Sequence, residues 1–313
     1  MVAARERGRD FMPVKFSGHE TFACRYAWLP KALQAIQSDP GVFTDEDEAI
    51  VELGVGKNMV RSIRFWVEAS GMAKPAQHGL EATKLGLLIF GEKGRDPFIE
   101  DIQTLWLIHW NLTTQIEHPL FAWEFLFNRW HEPELTECAV LKAFAKETDG
   151  LSKRLSSVTL QQHFQVFLHT YVPARGQKGE IAEDNLDCPL TELELLVKIG
   201  ERAPPGATRR EPVYAFRREE KPSISPELFA YCVEDFWQKV SPNEQTLPVR
   251  TLVNGIGSPG QVFKIPEEDI HNRVQTLSEV THGALKYAES AALPQVHRSG
   301  SIDAKRLLTH AYN

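Results

Sequence analysis

The sequence has no run approaching the ~18–20 apolar residues that a membrane-spanning helix needs, and so it is not expected to cross a bilayer as a helix. It has no CxxC pair. Its four cysteines, Cys24, Cys138, Cys188 and Cys232, stand far apart with no histidine at finger spacing, which argues for reduced thiols and against a structural zinc site. It has no excess of basic charge: 35 Lys and Arg against 42 Asp and Glu give a net charge of −7. Any nucleic-acid surface must therefore be a local patch on an acidic body. There is no P-loop, no PD…(D/E)xK arrangement and no HNH-like order, so no standard NTPase or nuclease site can be written down. Residues 1–15, MVAARERGRDFMPVK, carry charge but lack the apolar core of a secretory signal. These absences together lead us to expect a soluble cytoplasmic protein.

What is present is a chain of 313 residues, 42% apolar and 10% aromatic, which excludes a largely disordered protein and allows a sizeable core. The patterning predicts a mainly α fold with small β wings. Residues 1–15 read as an arm, 16–95 as a winged helix-turn-helix DNA-binding domain and 96–172 as a helical core. Residues 173–313 read as a C-terminal α+β region with a second winged-helix-like unit.

The DNA-binding expectation rests on LGVGKNMVRSIRFWVEASGMAKPAQHGLEATKLG. A helix over Glu46–Leu53, capped by Thr44 with Asp47, ends in the turn Gly54-Val55-Gly56. A second helix from Lys57 to Ser70 stops at Gly71, a natural left-handed position. Two β-like pieces then flank PAQHG, as a wing would. Val60, Ile63 and Val67 repeat on one face of the second helix, which leaves Lys57, Arg61 and Arg64 as a stripe on the other. With Asn58 they are the groups that contact phosphates and base edges. The alternative is an ordinary solvated helix face.

FSGHETFACRYAWLPKAL (Phe16–Leu33) places a histidine, a glutamate and an arginine among aromatics. An imidazole beside a carboxylate suits proton abstraction from water or a magnesium site that keeps several waters. The structural alternative is a helix start capped by Ser17 or Thr21, with Glu20 satisfying early N–H groups and His19 and Arg25 bonding locally. The acids Glu180, Glu183, Asp184 and Asp187 of GEIAEDNLD would either hold a divalent ion or form a solvated loop. DPFIEDIQTLWLIHWNL predicts an apolar core helix in which His109 is a satisfied core histidine. His163 and His169 are six apart, a poor fit to metal spacing on a helix. LTELELLVKIGE predicts a helix with a Thr191/Glu194 capping box, and PPGATRREPVYAFRREEKPSIS a β hairpin. The remainder reads as three helices and a β pair.

The blocks FSGHETF, LGVGKNMVRSIRFW, EDIQTLWLIHW, EDNLDCPL and SPGQVF resemble the SspB-type proteins of bacterial DNA phosphorothioation systems. The resemblance runs from about Phe16 to Leu293. It implies a protein that binds double-stranded DNA and works with a cysteine desulfurase, an ATPase and a PAPS-reductase-like sulfur transferase. It also implies nicking of one strand so that sulfur can enter the backbone. The resemblance itself assigns no catalytic residue. Nicking requires a base to activate water and a cation to stabilise the phosphate. His19 as base, Glu20 as Mg2+ ligand and Arg25 as phosphate clamp would meet that need, with Glu183 and Asp184 as further metal ligands. Two alternatives stand beside it: a non-catalytic recruitment module, and a winged-helix transcription regulator. A homodimer would suit a palindromic site.

Overall fold

Trp28, Leu29, Leu33 and Ile36 recur at helical spacing and form the buried face of α1 (Trp28–Ser38). The structure, a computed structural model, describes residues 14–149, 155–173, 188–289 and 293–312. It is mainly α, with three small antiparallel sheets. No described helix is long and apolar enough to cross a membrane.

After α1 come α2 (Glu46–Leu53) and α3 (Lys57–Ala69). The cap of α2 is Asp45, not Thr44. Its carboxylate accepts from the N–H groups of Asp47 (2.9 Å) and Glu48 (3.2 Å), while the Thr44 hydroxyl turns back to the Gly41 carbonyl. Asp45 stands directly before the first helical residue, where its carboxylate reaches the free amides of the first turn. Gly54 (φ 59°) and Gly71 (φ 74°) take the left-handed positions that end α2 and follow α3, as their lack of Cβ permits. The hairpin of β1 (Ala73–Ala76) and β2 (Gly79–Ala82) follows, in register Ala73↔Ala82 to Ala76↔Gly79.

Next come α4 (Lys84–Phe90) and α5 (Ile102–Thr114), which is buried on nearly every side. Against α5 pack α6 (Phe121–Asn128) and, through Tyr171, α8 (Ser157–Tyr171), while α7 (Glu137–Thr148) sets Phe144 against Phe121 and Phe164. The expectation for His109 holds. It is fully buried, with Nδ1 2.8 Å from the Tyr171 hydroxyl and Nε2 2.9 Å from the Val262 carbonyl.

The predicted helix over LTELELLVKIGE is not found. Pro189–Leu193 makes a 3-10 turn, Glu194 enters the left-handed region (φ 46°), and β3 (Leu196–Arg202) starts two residues later. Long-range pairing outweighs local helix preference here, because β3 joins β4 (Glu211–Phe216) with a bulge between Lys198 and Gly200. Thr191 bonds the Cys188 carbonyl and caps no helix.

The remaining elements are α9 (Pro226–Val240), β5 (Thr246–Pro248), α10 (Val249–Asn254), α11 (Pro259–Val262) and α12 (Glu267–Val280). They are followed by β6 (Leu285–Ala288), β7 (Gln295–Arg298) and α13 (Ala304–His310). The last sheet has the order β5-β7-β6. One apolar core runs from Phe16 to Ala311 through all of these parts, and it fixes the N-terminal helices against the rest.

Candidate nucleic-acid interface

On α3 the apolar side chains Val60, Ile63, Trp66 and Val67 are buried, so the opposite face must point to solvent. Lys57 (56% exposed), Arg61 (43%) and Arg64 (49%) stand on that face, and Asn58 is exposed beside them. The basic stripe is real in position, but its charges are not solitary. The Glu46 carboxylate, on the first residue of α2, bonds Lys57 Nζ at 2.7 Å and Arg61 Nε at 2.5 Å. Arg64 pairs with Glu68 one turn on at 3.2 Å. Bonding to Arg61, then to Lys57, lowers the Glu46 carboxyl to about 2. These pairs were missed from sequence, although an acid in the first turn of α2 was in plain view.

The FSGHETF segment lies against the flank of the same helix. Ser62, buried on α3, donates its hydroxyl to the His19 carbonyl at 3.0 Å. Trp66 donates its indole N–H to the Phe22 carbonyl, also at 3.0 Å. The His19 ring meets the Phe65 ring edge-on at 5.6 Å. Gly18 (φ 109°) lets the chain pass so close to Phe65 that a Cβ there would come within 2.7 Å of the ring. Glu20 (φ 46°) and Thr21 (φ 68°) are both left-handed, which turns the chain sharply between these anchors. Neither Ser17 nor Thr21 caps a helix, since α1 begins at Trp28 behind Ala27 with no side-chain cap.

His19 is only 3% exposed. Its Nε2 lies 3.1 Å from His163 Nδ1 on α8, and the ring also hydrogen-bonds the Phe16 backbone. The Ala122 amide at the head of α6 donates to His163 Nε2 at 3.0 Å, so in the neutral ring the proton sits on Nδ1 and is offered to His19. Burial lowers His19 to about 4 and takes His163 well below its usual value. Both nitrogens of His19 are thus engaged away from solvent, which fits a brace between loop, α6 and α8 better than a base that must reach water.

Glu20 is half-buried and its charge acts on Arg61 across the gap between loop and helix. Glu20 and Arg61, which the sequence placed in separate candidate sites, are thus near enough for their charges to interact. Arg25 is turned the other way, stacked over Trp28 (5.4 Å) and Phe22 (5.9 Å). Glu183 and Asp184 lie outside the described residues. Among the described residues no three His, Cys, Asp or Glu side chains gather as a metal would require. Magnesium needs few protein carboxylates, and among the described residues Glu20 is the expected ligand, with its charge also acting on Arg61. The described side chains therefore gather no cluster of three ligands, while magnesium keeps several waters and needs only one or two carboxylates.

Residues 16–312 match the protein family of unknown function DUF4007. The chain belongs to that family. No curated protein matches the sequence. Among solved structures the fold is similar to the crystal structure of SspB and to that of magnesium ion-bound SspB. In both cases the TM-score is 0.82 at 26% identity, over 95% of this chain and 88% of the other.

Proposed function

We propose that this protein is the DNA-contacting component of an SspB-type system, docking duplex DNA through the exposed face of α3. In this reading α2 and α3 form the helix-turn-helix and β1–β2 is its wing. Lys57, Arg61 and Arg64 take phosphates, and Asn58, near the helix start, is placed for a base edge. The observation that carries the reading is the exposed, basic face on a helix whose other sides are locked into the core and into the FSGHETF loop. The likeness to SspB over nearly the whole chain supports the choice of system. A cysteine desulfurase, an ATPase and a PAPS-reductase-like sulfur transferase as partners belong to the same proposal.

The geometry of the loop gives His19 a positioning role. Through its carbonyl and ring it holds α3 at a fixed height over α6 and α8. Strand nicking is the finer claim. It is tested with supercoiled plasmid and purified protein, in Mg2+ against EDTA. Open-circular product only with Mg2+ supports a metal-dependent nickase, and no product in either arm leaves a recruitment module. DNA contact itself is tested by anisotropy of a labelled duplex across a salt series. Arg61→Ala and Arg64→Ala are each expected to weaken binding and to lower the salt slope by about 0.9 per lost phosphate contact. Unchanged affinity and slope in both folded variants would move the DNA surface off α3.

A further inference from the structure

Lys57 and Arg61 stand one turn apart on α3, and one carboxylate serves both. Glu46 Oε2 is 2.7 Å from Lys57 Nζ and 3.2 Å from Arg61 Nη2, while its Oε1 is 2.5 Å from Arg61 Nε. This two-toothed grip on a guanidinium is the geometry that arginine also offers to a phosphate. Glu20, from the FSGHETF loop, adds a second negative charge that acts on Arg61. Arg61 therefore answers to two acids from two different elements, on a face open to solvent. Arg64 differs: its partner Glu68 lies on its own helix, and a second nitrogen reaches the Phe43 carbonyl at 3.4 Å.

We propose that Glu46 is the resident anion of the phosphate site, occupying the Lys57–Arg61 fork in the free protein and giving way to a nucleic-acid phosphate. The inference rests on the DNA-contact reading of α3. It makes Glu46 a regulator of that contact, setting how much positive charge the fork presents to a duplex. Acids in a first helical turn are also favoured by the helix dipole, and that role alone would explain Glu46 without any gate. Asp47 and Glu48 share the turn but not the fork, and Asp45 keeps the cap, so the two roles separate by substitution.

Glu46→Gln keeps the side-chain length and removes the charge. Binding to a short fluorescein-labelled duplex is expected to tighten about two- to fivefold at low salt, the scale of an exposed ion pair. The slope of log K against log salt should steepen by about 0.9, because one more fixed positive charge displaces a counterion. Glu48→Gln changes the net charge equally and is expected to match the wild type. Equal gains in both variants would mean a general charge effect and would overturn the gate. A wild type that binds, with Arg61→Ala weaker but Glu46→Gln no tighter, would overturn the gate and leave the DNA reading standing. Absence of binding by both wild type and Glu46→Gln at the lowest salt would sink the two together.

Discussion

The ring of His163 stands between an amide and another histidine: it accepts from Ala122 N at 3.0 Å and meets His19 Nε2 at 3.1 Å, across 144 residues of sequence. This contact ties the first described loop to α6 and α8 with neutral imidazoles. Burial disfavours a charge on either ring of this pair. The folded His19 titrates at about 4, below the ordinary 6.5, because burial disfavours its charged form. The unfolded chain therefore takes up the proton first as pH falls. The stabilising contribution is complete above about 6.5 and is lost progressively toward about 4. For His19 alone the loss is on the order of 3 kcal/mol at the low end. Urea midpoints at about pH 7.5, 6 and 4.5 check this. His163→Phe should leave the Ala122 amide unpaired, cost about 1–3 kcal/mol at neutral pH and flatten the acid limb. An unchanged acid limb in that variant would show that the histidine pair is not its source.

How far the sequence foretold this arrangement depends on how local each feature is. The α3 face was legible because Val60, Ile63 and Val67 mark a helical period and Gly71 a stop, both properties of neighbouring residues. Helix Glu46–Leu53 was legible for the same reason, although its cap was read one residue early. The stretch after Pro189 was misread because Leu195, Leu196 and Val197 suit either a helix or a strand, and only pairing with β4 decides between them. The burial of His19 could not be read at all, since its partner is contributed by a distant helix. The same holds for the influence of Glu20 on Arg61, which depends on Ser62 and Trp66 pinning the loop to α3.

A second buried titration lies at Lys264, only 3% exposed, whose ammonium donates to the Phe127 carbonyl at 2.5 Å and sits 4.5 Å from the Phe216 ring centre. Burial, helped by the nearby Arg218 charge, lowers it to about 7 from an ordinary value of 10.5. Between those values the unfolded chain holds more protons than the folded one, so this group makes stability rise with pH from about 7 to about 10.5. Lys264→Met removes the buried charge but also the partner of the Phe127 carbonyl. The expected result is a flatter stability curve between about pH 7 and 9.5 than in the wild type, with neutral-pH stability equal or higher by about 1–3 kcal/mol. Parallel curves for the two proteins would mean that Lys264 does not titrate in this range.

The hairpin β1–β2 offers a way to separate its scaffolding from its proposed contact with DNA. Gly79 (φ 109°) lies so near the Pro40 carbonyl that an added Cβ would sit 2.1 Å from its oxygen, and the Leu80 amide bonds the same oxygen at 2.9 Å. Gly79→Ala should therefore push the hairpin off the turn after α1 and cost about 2–4 kcal/mol, from both the backbone strain and the clash. Lys74 is exposed on β1 and pairs across the strands with Glu81 at 2.9 Å. Lys74→Ala should leave stability within about 0.5 kcal/mol of the wild type. If the hairpin lies along a phosphate backbone as a wing, the same variant lowers the salt slope of DNA binding by about 0.9. A Lys74→Ala protein with the wild-type slope, beside an Arg61→Ala protein with a reduced one, would restrict the contact to α3 and leave the hairpin a purely structural part of the N-terminal unit.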